Sequence, residues 1–287
     1  MLLLRLCILV LILSINIYGK FGDRIDYGIV DAPGIDEASG IAASRLNAGI
    51  LWVHNDSGDK SRIFALHTSG RLCGTIYLKG IMARDWEDIA VGPGPDSGVS
   101  YVYIAETGDN KARYDEKRIY RFREPLIDSS KNSIVDTISN IETIRFRYAD
   151  GKRDAEALMV DPLTRDCYIV TKREMNVRIY RHPFPQDTMK TVTLRYLDTL
   201  DLSVIVAADI SSDGTEIIMK NYHEVLYWKM KPKDTIIKTI RRKPQKLPYV
   251  KESQGEAVCF SADGKGYFTI GEKKKNEACH LYFYPKE

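Results

Sequence analysis

Short segments that set one acid at the head of an apolar strand recur along this chain, and their spacing constrains the fold more than any other feature. They are Glu37-Ala38-Ser39-Gly40-Ile41, Glu87-Asp88-Ile89-Ala90-Val91, Glu156-Ala157-Leu158-Met159-Val160 and Glu256-Ala257-Val258-Cys259-Phe260. A fifth segment, Val206-Ala207-Ala208-Asp209-Ile210, aligns with the last through a shared Ser-x-Asp-Gly turn and carries Val206 in place of the acid. The heads at 37, 87, 156, 206 and 256 stand 50, 69, 50 and 50 residues apart. A period in this range with several strands per unit is the sequence mark of a β-propeller.

Each unit carries further strand-like runs separated by turn residues. Gly49 to Val53, Arg62 to Leu66 and Leu72 to Leu78 follow the first head, and Ser100 to Ala105, Arg118 to Phe122 and Thr143 to Tyr148 follow the second. Cys167 to Thr171, Arg178 to Arg181 and Thr191 to Tyr196 build the third unit, and Glu216 to Lys220, Val225 to Lys229 and Ile236 to Ile240 the fourth. The last unit has only three strands, so Arg24 to Val30 is expected to supply its fourth and close the ring; closure removes the edges an open sheet would expose. The expectation is an all-β, five-bladed propeller. A six-bladed ring is the alternative, but the 69-residue interval shows no second strand set. Its excess is the polar stretch 124–141, within which Asp128 to Ser139 is read as a short helix at most.

The chain opens with Arg5 ahead of an apolar run from Leu6 to Ile17 and reaches Gly19-Lys20. That is the layout of a signal peptide with cleavage after Gly19, and the run is short for a membrane span. The expected domains are therefore a leader, 1–19, and one propeller, 20–287, in a protein that is secreted, or periplasmic if the cell is bacterial. The formal net charge is +3, near neutral for this length, which gives no reason to expect nucleic acid or an anionic membrane as partner. An extracellular small molecule or protein is expected instead, met by a monomer. Cys73, Cys167, Cys259 and Cys279 remain after cleavage. A disulfide is open to an exported chain, yet Cys259 and Cys279 should flank an intervening strand, two spacings of ~4.8 Å apart, beyond usual bridging reach. Buried free thiols are the alternative. Asn55-Asp56-Ser57 is the sole N-glycosylation sequon.

In a blade the first strand lines the channel and the second returns beside it, so the residue opening one shares a rim with the residue closing the other. This gathers Glu37, Glu87, Glu156 and Glu256, with Asn55, Asp56, Glu106, Asp109, Asn110, Asn221 and Glu272, at one mouth. Like charges crowded together raise each other's pKa or call for a counter-ion. Oxygen ligands without His or Cys favour calcium, with magnesium second, over zinc. The alternative is that these acids bond to backbone amides and fix the ring. Lys172, Lys220 and His223 are candidates to clamp an anionic group beside the ion, or else to pair with rim acids. Trp86 is read as blade packing before ligand stacking. No nucleophile motif or paired-His metal motif is present.

Glu37-Ala-Ser-Gly-Ile-Ala-Ala-Ser, Leu51-Trp-Val-His-Asn-Asp-Ser-Gly-Asp, Arg84-Asp-Trp-Glu-Asp-Ile-Ala-Val-Gly, Thr107-Gly-Asp-Asn, Asp154-Ala-Glu-Ala-Leu and Gln254-Gly-Glu-Ala-Val form a set spread over nearly the whole chain. In these segments the sequence resembles a family of secreted propellers grouped with the TolB-like and WD-repeat propellers. More remotely it is similar to calcium-activated apyrases, five-bladed with a channel calcium, and to esterase-like phytase propellers. That similarity implies ion ligation by Glu37, Glu87, Glu156 and Glu256, with Val206 departing from a full ring. The function expected is a ligand-binding module with a channel cation, or a calcium-dependent phosphohydrolase or esterase.

Overall fold

A computed structural model describes residues 19–131, 133–273 and 278–287. The expected leader falls almost entirely on residues outside these. After a strand at Ile25–Ile29 (β1), the chain builds a first blade from β2 (Ala38–Ala43), β3 (Ile50–Asn55), β4 (Arg62–His67) and β5 (Leu72–Leu78). The second blade has β6 (Trp86–Pro93), β7 (Ser100–Glu106) and β8 (Lys117–Arg123). The chain then runs back to add β9 (Ile134–Ile138) alongside β5 before returning as β10 (Glu142–Tyr148). The third has β11 (Ala155–Val160), β12 (Cys167–Thr171) and β13 (Val177–His182), followed by β14 (Val192–Leu194) and β15 (Tyr196–Leu200). The fourth has β16 (Ala207–Ile210), β17 (Glu216–Lys220) and β18 (Val225–Lys229), a helix α1 (Ile236–Ile240) and β19 (Gln245–Leu247). The fifth has β20 (Ala257–Phe260), β21 (Gly266–Ile270) and β22 (His280–Pro285).

Five separate sheets result, and β1 pairs antiparallel with β22 as the outer strand of the last, so the ring is closed by its N-terminal strand. Core packing establishes five blades and excludes six. Among the described residues five apolar clusters occur, each joining one pair of adjacent blades, and one of them returns from blade five to blade one through Ala257, Phe268 and Ile270 against Ile41, Val53 and Phe64. The inner strands β2, β6, β11, β16 and β20 touch in that order around the channel. Trp86, 1% exposed, packs between blades one and two beside Tyr120 and the edge of His54. All four described cysteines are buried, free thiols.

Three local expectations are corrected. Ile236–Ile240 is a helix, because Thr235 accepts from Lys238 N as a cap and the i, i+4 pair Ile236 and Ile240 buries against the sheet near Trp228. The fourth strand of that blade is β19 instead. The run Thr191 to Tyr196 is divided: β14 joins the second blade parallel to β10, and β15 completes the third. Within 124–141 the β-branched run at 134–138 forms a strand, not a helix, parallel to β5 on the outer edge of blade one. Among the described residues no helix is long and apolar enough to cross a membrane.

Candidate metal centre

The register of the inner strands decides which side chains enter the channel mouth. β6 and β11 are bulged between Trp86 and Asp88 and between Ala155 and Ala157, so Glu87 and Glu156 are the unpaired extra residues. A bulge re-aims its side chain out of the pleat, and here the sequence holds acids at that point. β2 is bulged in the same way between Ala38 and Gly40, which puts Ser39, not Glu37, in register with those two acids. Glu37 instead matches Asp85 and Asp154: their carbonyls accept, in turn, from Asp56 N (2.9 Å), Gly108 N (3.2 Å) and Lys172 N (3.1 Å).

Three overlapping groups of carboxylates follow, each with ligand oxygens within 4.8 Å of one another. Asp56, Glu256 and Glu272 form one, Asp56, Asp85 and Glu87 a second, and Glu87, Asp154 and Glu156 the third. Sequence reasoning placed Glu87, Glu156, Glu256, Asp56 and Glu272 at this mouth. Glu37 belongs to none of the groups; its side chain is exposed while its carbonyl pins Asp56. Asp85 and Asp154 were missed as candidate ligands, although the Asp-x-Glu spacing that Asp85-Trp86-Glu87 shares with Asp154-Ala155-Glu156 was a usable signal.

Partners differ sharply between groups. Asp154 accepts from Asp109 N (2.7 Å) and Arg173 Nε (2.6 Å). Glu156 pairs with Lys172, whose Nζ also donates to Tyr222 Oη at 3.0 Å, and Tyr222 in turn donates to Glu256. Glu272 accepts from Gln254 Nε2 at 2.6 Å. Glu87 is 4% exposed, yet among the described residues no hydrogen bond or ion pair reaches its carboxylate, and the same holds for Asp85. Burial, then Glu156, Asp56, Asp85 and Asp154, push Glu87 well above the ordinary carboxylate range. Burial and neighbouring acids push Asp85 up to about 6 and Glu272 up to about 7. Gly108 makes room for this pair: a methyl there would overlap Glu87 Oε1 and stand 2.5 Å from Asp85 Cγ.

The remaining candidates lie around the ring in other roles. Glu106 is buried and accepts from Arg84 N and Asp85 N, both at 3.0 Å, which fixes the loop carrying Asp85. Asp109 is occupied by Lys117 Nζ (2.9 Å) and by the amides of Arg113 and Tyr114. Asn110 and His223 are exposed, and Asn221 Oδ1 caps its own turn by accepting from His223 N and Glu224 N. Lys220 is fully buried, donating to Gly255 O and lying 4.6 Å from the Tyr249 ring centre; burial lowers it to about 8. Asn55, 3% exposed, gives its Nδ2 to Gly34 O (2.6 Å), Asp59 and Asp36, leaving a glycan no room in the folded chain.

No family model and no curated protein matches the chain. Among solved structures it is similar to the PQQ-bound form of an aldose sugar dehydrogenase from Streptomyces coelicolor, at 12% identity over 94% of this chain and 99% of that one, with a TM-score of 0.50. The chain is a β-propeller. A gluconolactonase from Xanthomonas campestris also aligns, at 13% identity over 92% of this chain and 89% of that one, with a TM-score of 0.47. At 12% identity the propeller shares an architecture with the dehydrogenase, and its chemistry has to be argued from its own site.

Proposed function

We propose that this chain is a secreted propeller that holds a hard divalent cation, calcium before magnesium, at the channel mouth and presents it to an extracellular ligand. The observation that carries the reading is Glu87, a buried carboxylate with no partner among the described residues, facing Asp85 and Asp56 across space that Gly108 leaves open. A buried charge without a partner is costly, and an oxygen-bound cation removes that cost. Several carboxylates on separate strands give the adaptable oxygen cage that calcium accepts, whereas magnesium demands near-octahedral geometry. The ligand is expected to supply oxygen donors, from a carboxylate, a phosphate or neighbouring hydroxyls, and to meet the protein as a monomer. Secretion rests on the leader-like residues 1–19, and kinship with the TolB-like and WD-repeat propellers rests on the segments that suggested it.

A second reading is a calcium-dependent phosphohydrolase or esterase of the apyrase or phytase kind. It is favoured by Asp85, a carboxylate of the cation group that accepts from no group among the described residues and is open to take a proton from a cation-bound ligand or water. Binding leads, because Lys220 is buried beneath Gly255, His223 is exposed, and Lys172 is engaged by Glu156 and Tyr222. Calcium titration of chelated protein, followed by turnover assays on nucleotides, phytate and simple esters, separates the two. Saturable calcium binding without turnover supports the binding module; calcium-dependent turnover lost in Asp85→Asn supports the hydrolase.

A further inference from the structure

The seven carboxylates of the mouth are not equally available, and this decides how many cations it takes and where. Lys172 Nζ engages one acid of the Glu87, Asp154 and Glu156 group: it is paired with Glu156 and lies 3.0 Å from Tyr222 Oη, and its side chain is 8% exposed. Arg173 covers the same group from outside, with Nε 2.6 Å from Asp154 and Nη2 3.9 Å from Glu156. Two positive groups thus already engage Asp154 and Glu156, two of the three acids a divalent ion would bridge there. Tyr222, donating onward to Glu256, extends this arrangement across the fourth blade, where Val206 carries no acid. On the opposite side, among the described residues, Asp85 and Glu87 have no partner, and Asp56 accepts only from the neighbouring Ser57 N at 2.5 Å.

We infer that Lys172 and Arg173 are built-in cations filling a latent second metal site, so the mouth takes a single external ion, seated on Asp56, Asp85 and Glu87. The inference rests on the cation reading above and adds its stoichiometry and location. An ammonium tied to the scaffold costs far less entropy to hold than a free ion, so it competes well for Glu156. Like charges must share neutralising partners, and this division neutralises both ends of the arc. A ligand bound to the external ion then approaches over blades one and two, away from Tyr222.

The test is calcium calorimetry on the native protein and on the double variant Lys172→Met with Arg173→Gln, each checked for a cooperative thermal transition. The native chain is expected to bind one calcium and the double variant two. One calcium in both, at unchanged affinity, overturns the inference and leaves the cation reading intact, whereas no calcium in the native chain overturns both. Amine acetylation of the native protein, read by mass spectrometry at Lys172, gives a second measurement that needs no variant. Lys172 is expected to stay protected with and without calcium; labelling that appears only when calcium is added would show that the ion displaces it, against the inference.

Discussion

Lys172 Nζ stands 3.0 Å from the hydroxyl of Tyr222, and this pair links the third blade to the fourth, where Val206 stands at the head position that holds an acid in the other four repeats. Through it Glu156 on β11 and Glu256 just ahead of β20 are joined across Val206. The incomplete ring is thus compensated by a lysine just past the second strand of the third blade and a tyrosine just past the second strand of the fourth blade itself. The uncompensated charge lies on the other side, at Asp85 and Glu87.

Removing that charge should separate binding from folding. Glu87→Gln is expected to weaken calcium by at least about tenfold, ~1.4 kcal/mol, while the metal-free variant unfolds no lower in temperature than the native chain, because a buried carboxylate without a partner has been neutralised. Calorimetry and thermal unfolding of the chelated proteins check both halves.

Gly108→Ala tests the same space from the backbone. The added methyl overlaps Glu87 Oε1, so the carboxylates must move apart and calcium affinity should fall by about tenfold or more, ~1.4 kcal/mol. The blade itself should persist, since Gly108 lies beyond the end of β7; circular dichroism together with calcium titration reads the two effects.

The pH dependence of the metal-free protein follows from the raised carboxylates. Asp85 and Glu272 titrate at about 6 and about 7 in the fold, above their unfolded values near 4. Between these limits the folded state binds more protons, so stability is greatest below about pH 4, as far as these groups contribute, and is lost as pH rises toward 7. The melting temperature gained on adding calcium should therefore grow between pH 5 and pH 7.5, as scanning calorimetry at several pH values would show.

Much of this architecture was legible in the sequence because propeller repeats fix both strand count and order. The ladder of heads gave five blades, and the missing fourth strand of the last unit pointed to β1. Misreadings arose where local chemistry outweighed composition: the Thr235 cap and the Ile236/Ile240 spacing made a helix from a β-branched run, and β9 crossed back to an earlier blade. Glu37 was set beside Glu87 by an even interval of 50 residues, but the bulge in β2 places Ser39 there. A bulge leaves no mark in composition or spacing. The pairing of Lys172 with Glu156 is the rim-acid pairing open to it through the β11–β12 hairpin, whereas Tyr222, 50 residues on in the next blade, meets it only through the ring.

Trp86 serves the fold next to this site. Trp86→Ala should cost ~3–5 kcal/mol, as for other large aromatic truncations in a packed core, because the ring fills the junction of blades one and two. Denaturant unfolding measures the loss, and a cost under about 1 kcal/mol would be inconsistent with that packing.

Calcium titration of the chelated native chain beside Asp85→Asn bears most directly on the central claim. One saturable site in the native protein, with heat absent or affinity down by at least about tenfold, ~1.4 kcal/mol, in the variant, is the result the geometry predicts. Equal binding by the two proteins, or none by the native chain, would contradict it.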